Sequence, residues 1–224
     1  MVSEIKFQLN SSLFNRDPQD TDLGRRILQH SIILIDEIGI EAFTFRKLAK
    51  KIGSTEASVY RYFENKHLLL LFLTNWYWEW VHYLIRVDTK NIDDPRRRLS
   101  IIIQDIVSAT AENVSTSYIN EHLLHRIVIQ EGSKAYHTNS VDDENEIGLF
   151  LSYKDLVDEV ACVIGQINPD FPYRYSLASN LFEMASSQMF FAQHLPRLTD
   201  LEGEKNDYGQ LKEMLEFFVD RLLA

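Results

Sequence analysis

The chain has one cysteine, Cys162, in 224 residues, which excludes an internal disulfide framework and suits a reducing compartment. Breakers are scarce too. Five prolines and eight glycines leave long uninterrupted runs rich in Leu, Ile, Glu and Lys, which predict an all-α protein. No apolar stretch reaches the ~18 residues of a membrane span; the oiliest run, Leu68 to Leu73, continues into Thr74, Asn75 and Glu79. The opening MVSEIKFQLN lacks the basic-then-apolar build of a secretory signal, so the cytoplasm is the expected location. Gly-rich phosphate loops, a Gly-x-Ser-x-Gly elbow and His-Glu-x-x-His are all missing, so neither an enzyme nor a cofactor is expected. His122 and His125 share a helical face, but only Glu121 stands beside them, and no metal is expected. Cys162, flanked by Val160, Ala161 and Val163, is expected to be a small buried hydrophobe.

What is present is an uneven charge. The formal net charge of −10 opposes DNA binding as a sum, but not in its distribution. Residues 20–66 carry eight basic side chains (Arg25, Arg26, Arg46, Lys47, Lys50, Lys51, Arg61, Lys66) against seven acidic ones, and the excess of acid lies beyond them. An acidic body with a locally basic head would bind DNA in one orientation.

The head contains the most informative segment, Phe43 to Lys66, reading FTFRKLAKKIGSTEASVYRYFENK. Thr44 is placed to cap a helix in which Phe45, Leu48, Ala49 and Ile52 recur at i, i+3, i+4 and i+7. Gly53 ends it in a left-handed turn, and Thr55 caps the next helix, whose Val59, Tyr62 and Phe63 face inward. A small residue, a glycine turn and a branched wedge at these places describe a helix-turn-helix.

With its Leu-Ala, its Gly turn and its Tyr-x-Tyr-Phe ending followed by Lys66, this segment resembles the DNA-binding domain of the TetR/AcrR family of bacterial transcription regulators, over about Thr21 to Leu73. The resemblance implies that the helix from Thr55 to Phe63 enters the major groove. Thr44, Ser58, Tyr60 and Lys66 would then grip phosphates, while Arg46, Glu56, Ala57 and Arg61 lie nearest base edges or adjoining backbone, with Lys47 and Thr55 in the same interface. Glu56 departs from the family pattern, which has Lys, Arg or a neutral residue there.

Residues 1–19 are expected to be a mobile arm, 20–66 the helix-turn-helix domain, and 67–224 a helical effector-binding and dimerisation domain, for about nine helices in all. A first helix from Asp20 to Ile38 would carry Leu23, Ile27, Leu34 and Ile38 on one face and end at Gly39. Asn65 would cap a long helix from Lys66 to Val87. Further helices are expected over 95–113, 117–129, 146–167, 173–194 and 207–223, with a loop over 138–145. On the long helix Trp76, Trp80 and Tyr83 recur at i, i+4, i+7; the resemblance makes this stripe the wall of an effector cavity completed by Leu99, Ile103, His122, Arg126, Met184 and Gln188. The effector would then be small and largely apolar or aromatic. Phe182, Ala185, Met189 and Phe190, with Leu211, Leu215, Phe218 and Leu222, are expected at a homodimer interface. The partners implied are an operator in double-stranded DNA, a second copy and a small effector, without a membrane; repression is the expected output. The competing readings are an all-α enzyme using Tyr and His as acid and base, and a structural helical dimer.

Overall fold

The computed structural model describes residues 5–109, 117–202 and 208–224. Among them are eleven α-helices and no strand: α1 (Asp22–Ala42), α2 (Phe45–Lys51), α3 (Glu56–Tyr60), α4 (Lys66–Asp88), α5 (Pro95–Ser108), α6 (Glu121–Glu131), α7 (Ser133–Tyr136), α8 (Val141–Glu146), α9 (Leu151–Ile167), α10 (Arg174–His194) and α11 (Tyr208–Leu222). The two beyond the expected nine are the short α7 and α8, the latter covering most of the end of the stretch 138–145 expected as loop and running one residue past it. No described helix is long and apolar enough to cross a membrane.

Helix starts follow their capping residues. Asp94 accepts from the amides of Arg96 and Arg97 ahead of Pro95, Asn65 accepts from Leu68 N at 2.9 Å, and Asn120 accepts from Leu123 N at 2.8 Å. The Asn120 cap is why α6 begins beyond Ser117, at Glu121. The expected last turn of α5, to Asn113, and the start of the final helix at Asp207 fall outside the described residues.

The chain divides into two compact units, Met1–Glu79 with Thr110–Ser152 and Trp80–Ala109 with Tyr153–Ala224. In the first, α1 is buried on more than one side, because α2 packs on it and α6 returns to it. Ile27, Leu28, Ile32 and Ile35 are all inside, while Ile38, expected in the apolar stripe, is exposed. Arg126 of α6 pairs with Asp36 of α1. At Gly39 (φ 72°) α1 kinks, and the Ile40 amide beyond the kink is taken by the Glu131 carboxylate at 3.1 Å.

The N-terminal segment is not the mobile arm expected. Leu9 and Leu13 are buried, short 3₁₀ turns form at Ser11–Leu13 and Pro18–Asp20, and Phe7 meets Trp76 edge-on at 5.2 Å. Long-range pairing, not local propensity, orders it: Asn10 donates to Ile147 O at 2.8 Å and Asn15 N to Tyr62 O at 2.8 Å.

In the second unit α11 lies along α5 and α10. Its interior holds Leu99, Ile102, Ile103, Val160, Ile164, Leu181, Phe182, Leu211 and Leu215. Cys162, expected buried, is exposed, because α9 turns Val160, Ala161, Val163 and Ile164 inward and Cys162 outward.

Candidate nucleic-acid interface

The geometry of α2 and α3 is set by three local devices. Thr44 Oγ1 accepts from Lys47 N and Thr55 Oγ1 from Ser58 N, both at 3.2 Å. Between them Gly53 adopts φ 62°, and Ser54 N donates to Ala49 O at 2.9 Å while Gly53 N donates to Lys50 O at 3.4 Å, which closes the end of α2 as a Schellman turn. A Cβ at Gly53 would meet nothing, so glycine is required there for its backbone angle alone. Phe45, Leu48, Ala49, Ile52, Val59, Tyr62 and Phe63 are all buried, as their spacing predicts.

The outer surface is polar. Thr44, Arg46, Lys47, Lys50, Thr55, Glu56, Ala57, Tyr60 and Arg61 are exposed, and Ser58 and Lys66 half-buried. The Tyr60 ring rests edge-on against Phe45, 5.0 Å between centroids, and this joins the end of α3 to the start of α2.

The cations divide into two groups. Arg46, Lys50 and Arg61 have no internal partner among the described residues. By contrast, Lys47 Nζ donates to Ala42 O at 2.7 Å, Lys66 Nζ to Ile40 O at 2.9 Å and Glu41 O at 3.2 Å, Arg26 to Ile52 O, and Lys51 pairs with Glu37 at 2.8 Å. Lys66 thus closes the unanswered carbonyls at the end of α1, a task its spacing does not reveal. His30, near Lys51 and Arg26, has its pKa lowered chiefly by burial and then by those two charges.

The expected effector residues do not converge. Trp76 is buried against Phe7 in the first unit; in the second, Trp80 is buried and stacks on the exposed Tyr83, 5.7 Å apart with planes 21° from parallel. Arg126 is engaged with Asp36, and His122 lies half-buried on α6. Met184 and Gln188 are half-buried on α10. Leu99 and Ile103, however, line a cavity of about 260 Å³ between α5 and α11, with Ile167, Val219 and Leu223, and Arg96, Ser100, Glu216 and Asp220 form its polar part. His125 is buried and meets the Tyr77 hydroxyl through Nδ1 at 2.7 Å; burial, then the charge of His122, pushes its pKa down to about 4.

The expected interface residues also separate. Phe182, Ala185, Leu211 and Leu215 are buried inside their own unit, Phe182 against Tyr153 with ring centroids 5.8 Å apart. They pack against α5, α9 and each other because α10 and α11 each use one face internally. Met189 and Phe190 are half-buried, whereas Phe218 (39 % exposed) and Leu222 (52 %) face solvent with Phe217 (55 %), a neighbour that falls outside the expected stripe.

Residues 27–71 match the family described as bacterial regulatory proteins, tetR family. No curated protein matches the chain. Among solved structures, AibR in complex with isovaleryl coenzyme A and operator DNA is 15 % identical with a TM-score of 0.60, over 87 % of this chain and 97 % of that one. The fatty acid degradation regulator FadR from Bacillus halodurans is 16 % identical with a TM-score of 0.61, over 87 % and 92 %. The ketosteroid transcriptional regulator KstR2 of Mycobacterium tuberculosis is 15 % identical with a TM-score of 0.57, over 100 % and 97 %. At such identities the likeness is one of fold. The recognition carried by Phe43 to Lys66 stands: the N-terminal helix-turn-helix is that of the TetR family, and the all-helical architecture around it is one these regulators share.

Proposed function

We propose that this chain is a transcription regulator and not an enzyme: a cytoplasmic homodimer that reads a palindromic operator, represses, and responds to a small apolar effector. The observation that carries the reading is the outer surface of α2 and α3, where Arg46, Lys50 and Arg61 stand in solvent without internal partners among the described residues, on a frame held by two threonine caps and a left-handed glycine. Such a surface is stabilised by phosphate, which releases condensed counterions as it is neutralised.

On this reading residues 20–66 form the reading domain and 67–224 the effector and dimer domain. Thr44, Ser58 and Tyr60 set register on the phosphates, and Arg46, Glu56, Ala57 and Arg61 meet base edges or adjoining backbone, with Lys47, Thr55 and Lys66 supporting them. AibR was solved with both an operator and an acyl-coenzyme A; we extend the pairing of duplex and small ligand, not the ligand's identity, to this chain. The cavity between α5 and α11 would take an effector with both an apolar part, against Leu99, Ile103, Ile167, Val219 and Leu223, and a polar group, against Arg96, Ser100, Glu216 and Asp220. Phe218, Leu222, Met189 and Phe190 are the remaining candidates for the dimer seam.

Selection of bound sequences from a random duplex library at physiological salt tests the reading. A palindromic consensus with half-sites about 34–36 Å apart is the expected result. Enrichment of no sequence, with binding no stronger than that of an acidic protein of this charge, would overturn it.

A further inference from the structure

The reading helix α3 is only five residues long, so most of its carbonyls find no partner within it. Asn15 answers two carbonyls at its end and just beyond: its backbone amide donates to Tyr62 O at 2.8 Å and its side-chain amide to Tyr60 O at 3.1 Å. The next residue, Arg16, is exposed and lays its guanidinium over the Tyr62 ring, 5.7 Å from the centroid, and the Tyr62 hydroxyl is held by Thr21 Oγ1 at 2.8 Å. Arg16 therefore leaves the backbone where α3 ends, next to the stretch of chain that carries the exposed Tyr60 and Arg61.

Its place is fixed by the segment around it. Gln19 holds Phe7 from both sides, accepting from its N at 3.3 Å and donating to its O at 2.9 Å. Phe14 sits edge-on to Phe72 at 6.0 Å. Pro18 comes so near α1 that a Cβ on Gly24 would fall 2.2 Å from the Pro18 carbonyl oxygen. The two cations of the segment are treated differently. Lys6, itself exposed, pairs with Asp20 and with Asp17, the latter 3.0 Å away, and its pKa is raised first by the hydrogen bond to Asp20 and then by that to Asp17. Arg16 has no carboxylate partner among the described residues. Both stand at the surface, one paired with carboxylates and the other not.

We infer that residues 5–20 are a structural part of the DNA interface and that Arg16 is a backbone-phosphate contact at the end of the reading helix. The inference rests on the DNA-binding reading and adds a segment that lies outside the helix-turn-helix. A guanidinium over an aromatic ring makes a cation–π contact that leaves its N–H groups able to meet a phosphate, so the contact presents the charge without neutralising it.

The test uses the full chain, the duplex obtained by selection and a scrambled duplex of equal length, with affinity measured by fluorescence anisotropy across a salt series. Arg16→Ala is expected to weaken binding to both duplexes alike, because a phosphate carries no base information. Its log-log salt slope should be shallower by about 0.9 for each phosphate no longer neutralised, or about 1.8 for a dimer. Arg16→Lys should keep the wild-type slope, and Asn15→Ala, which loosens the mount while keeping the charge, should weaken binding with a smaller change of slope. If Arg16→Ala lowers the thermal midpoint while slope and affinity stay those of the wild type, Arg16 only covers Tyr62 and the inference is overturned. Wild-type protein that enriches no duplex would overturn the DNA-binding reading itself, so the two failures are separable.

Discussion

The two surfaces proposed for partners, one in each compact unit, differ in what they leave in water. In the first, Phe45, Leu48, Val59 and Phe63 are inside and the surface over them shows Arg46, Lys50, Glu56, Tyr60 and Arg61. In the second, α10 and α11 have an interior just as apolar, yet Phe217, Phe218 and Leu222 still face solvent. A charged surface is at ease in water and gains by exchanging counterions for a polyanion. An apolar surface gains by being covered, at about 25 cal/mol per Å². On the proposed function the first surface would meet DNA and the second another apolar face, which in a chain of one kind is most simply its own copy about a two-fold axis.

The strongest way to break this contrast is to make the second surface resemble the first. Phe218→Asp puts a carboxylate in the proposed seam, and sedimentation is expected to show monomers. Operator affinity should then fall by about 10²–10⁴-fold, the advantage of linking two reading heads. A tight dimer in this variant would move the interface elsewhere.

The units should also respond to pH with opposite sign. His125, in the first, titrates at about 4 rather than 6.5, so the unfolded chain takes up its proton first and stability is lost as pH falls from about 6.5 through about 4. At about 1.4 kcal/mol per unit of pKa, this is a loss on the order of 3 kcal/mol. Asp105, in the second, is pushed up to about 7 by burial, then by the charge of Asp88 and a hydrogen bond with it. Its folded value lies above the unfolded one, so its contribution is present in acid and disappears as pH rises from about 4 to about 7. Chemical unfolding followed across this range should show a flatter acid limb in His125→Gln, which keeps a partner for Tyr77, and a flatter neutral limb in Asp105→Asn. Unchanged profiles in both variants would erase the contrast.

Within the first unit, Glu56 sharpens the picture of a surface that reads as well as grips. Accepting from a cytosine N4 would make Glu56→Gln shift base preference at one symmetric position by about 1–3 kcal/mol. An unaltered consensus with changed stability would leave Glu56 as a first-turn carboxylate favoured by the helix dipole. The smallest effect separates displayed from engaged cations. Arg46→Ala should lower the salt slope by about 0.9 per phosphate and leave the thermal midpoint alone. Lys66→Ala should lower the midpoint as well, by about 0.3–1 kcal/mol of interaction with the end of α1. Equal midpoints in the two variants would mean that the bonds from Lys66 to Ile40 and Glu41 contribute nothing to the free protein.

The helix-turn-helix frame is legible in the sequence because its determinants are local. Thr44, Gly53 and Thr55 act within four residues of themselves, and the buried stripe from Phe45 to Ile52 repeats at the helical period. The N-terminal segment is not, since Asn15 and Gln19 find partners that no periodicity announces. Residues Trp76, Trp80 and Tyr83 share a helical spacing, but spacing does not say what a face meets: Trp76 is covered by Phe7, while Trp80, which belongs to the other unit, stacks on Tyr83. The same limit applies to Phe182 and Leu215, apolar at the right period and turned inward, and to Cys162, which stands one position off a buried face.

The kink at Gly39 leaves a last turn of α1 that is held from both polarities: its amide at Ile40 by Glu131 of α6, its carbonyls at Ile40, Glu41 and Ala42 by Lys66 and Lys47. That makes the Ile40 amide proton a built-in gauge. Its replacement by deuterium requires α6 to release the turn, so its exchange rate against the rates of neighbouring amides reads out how often α6 and the end of α1 part company, with no label attached and before any ligand is known.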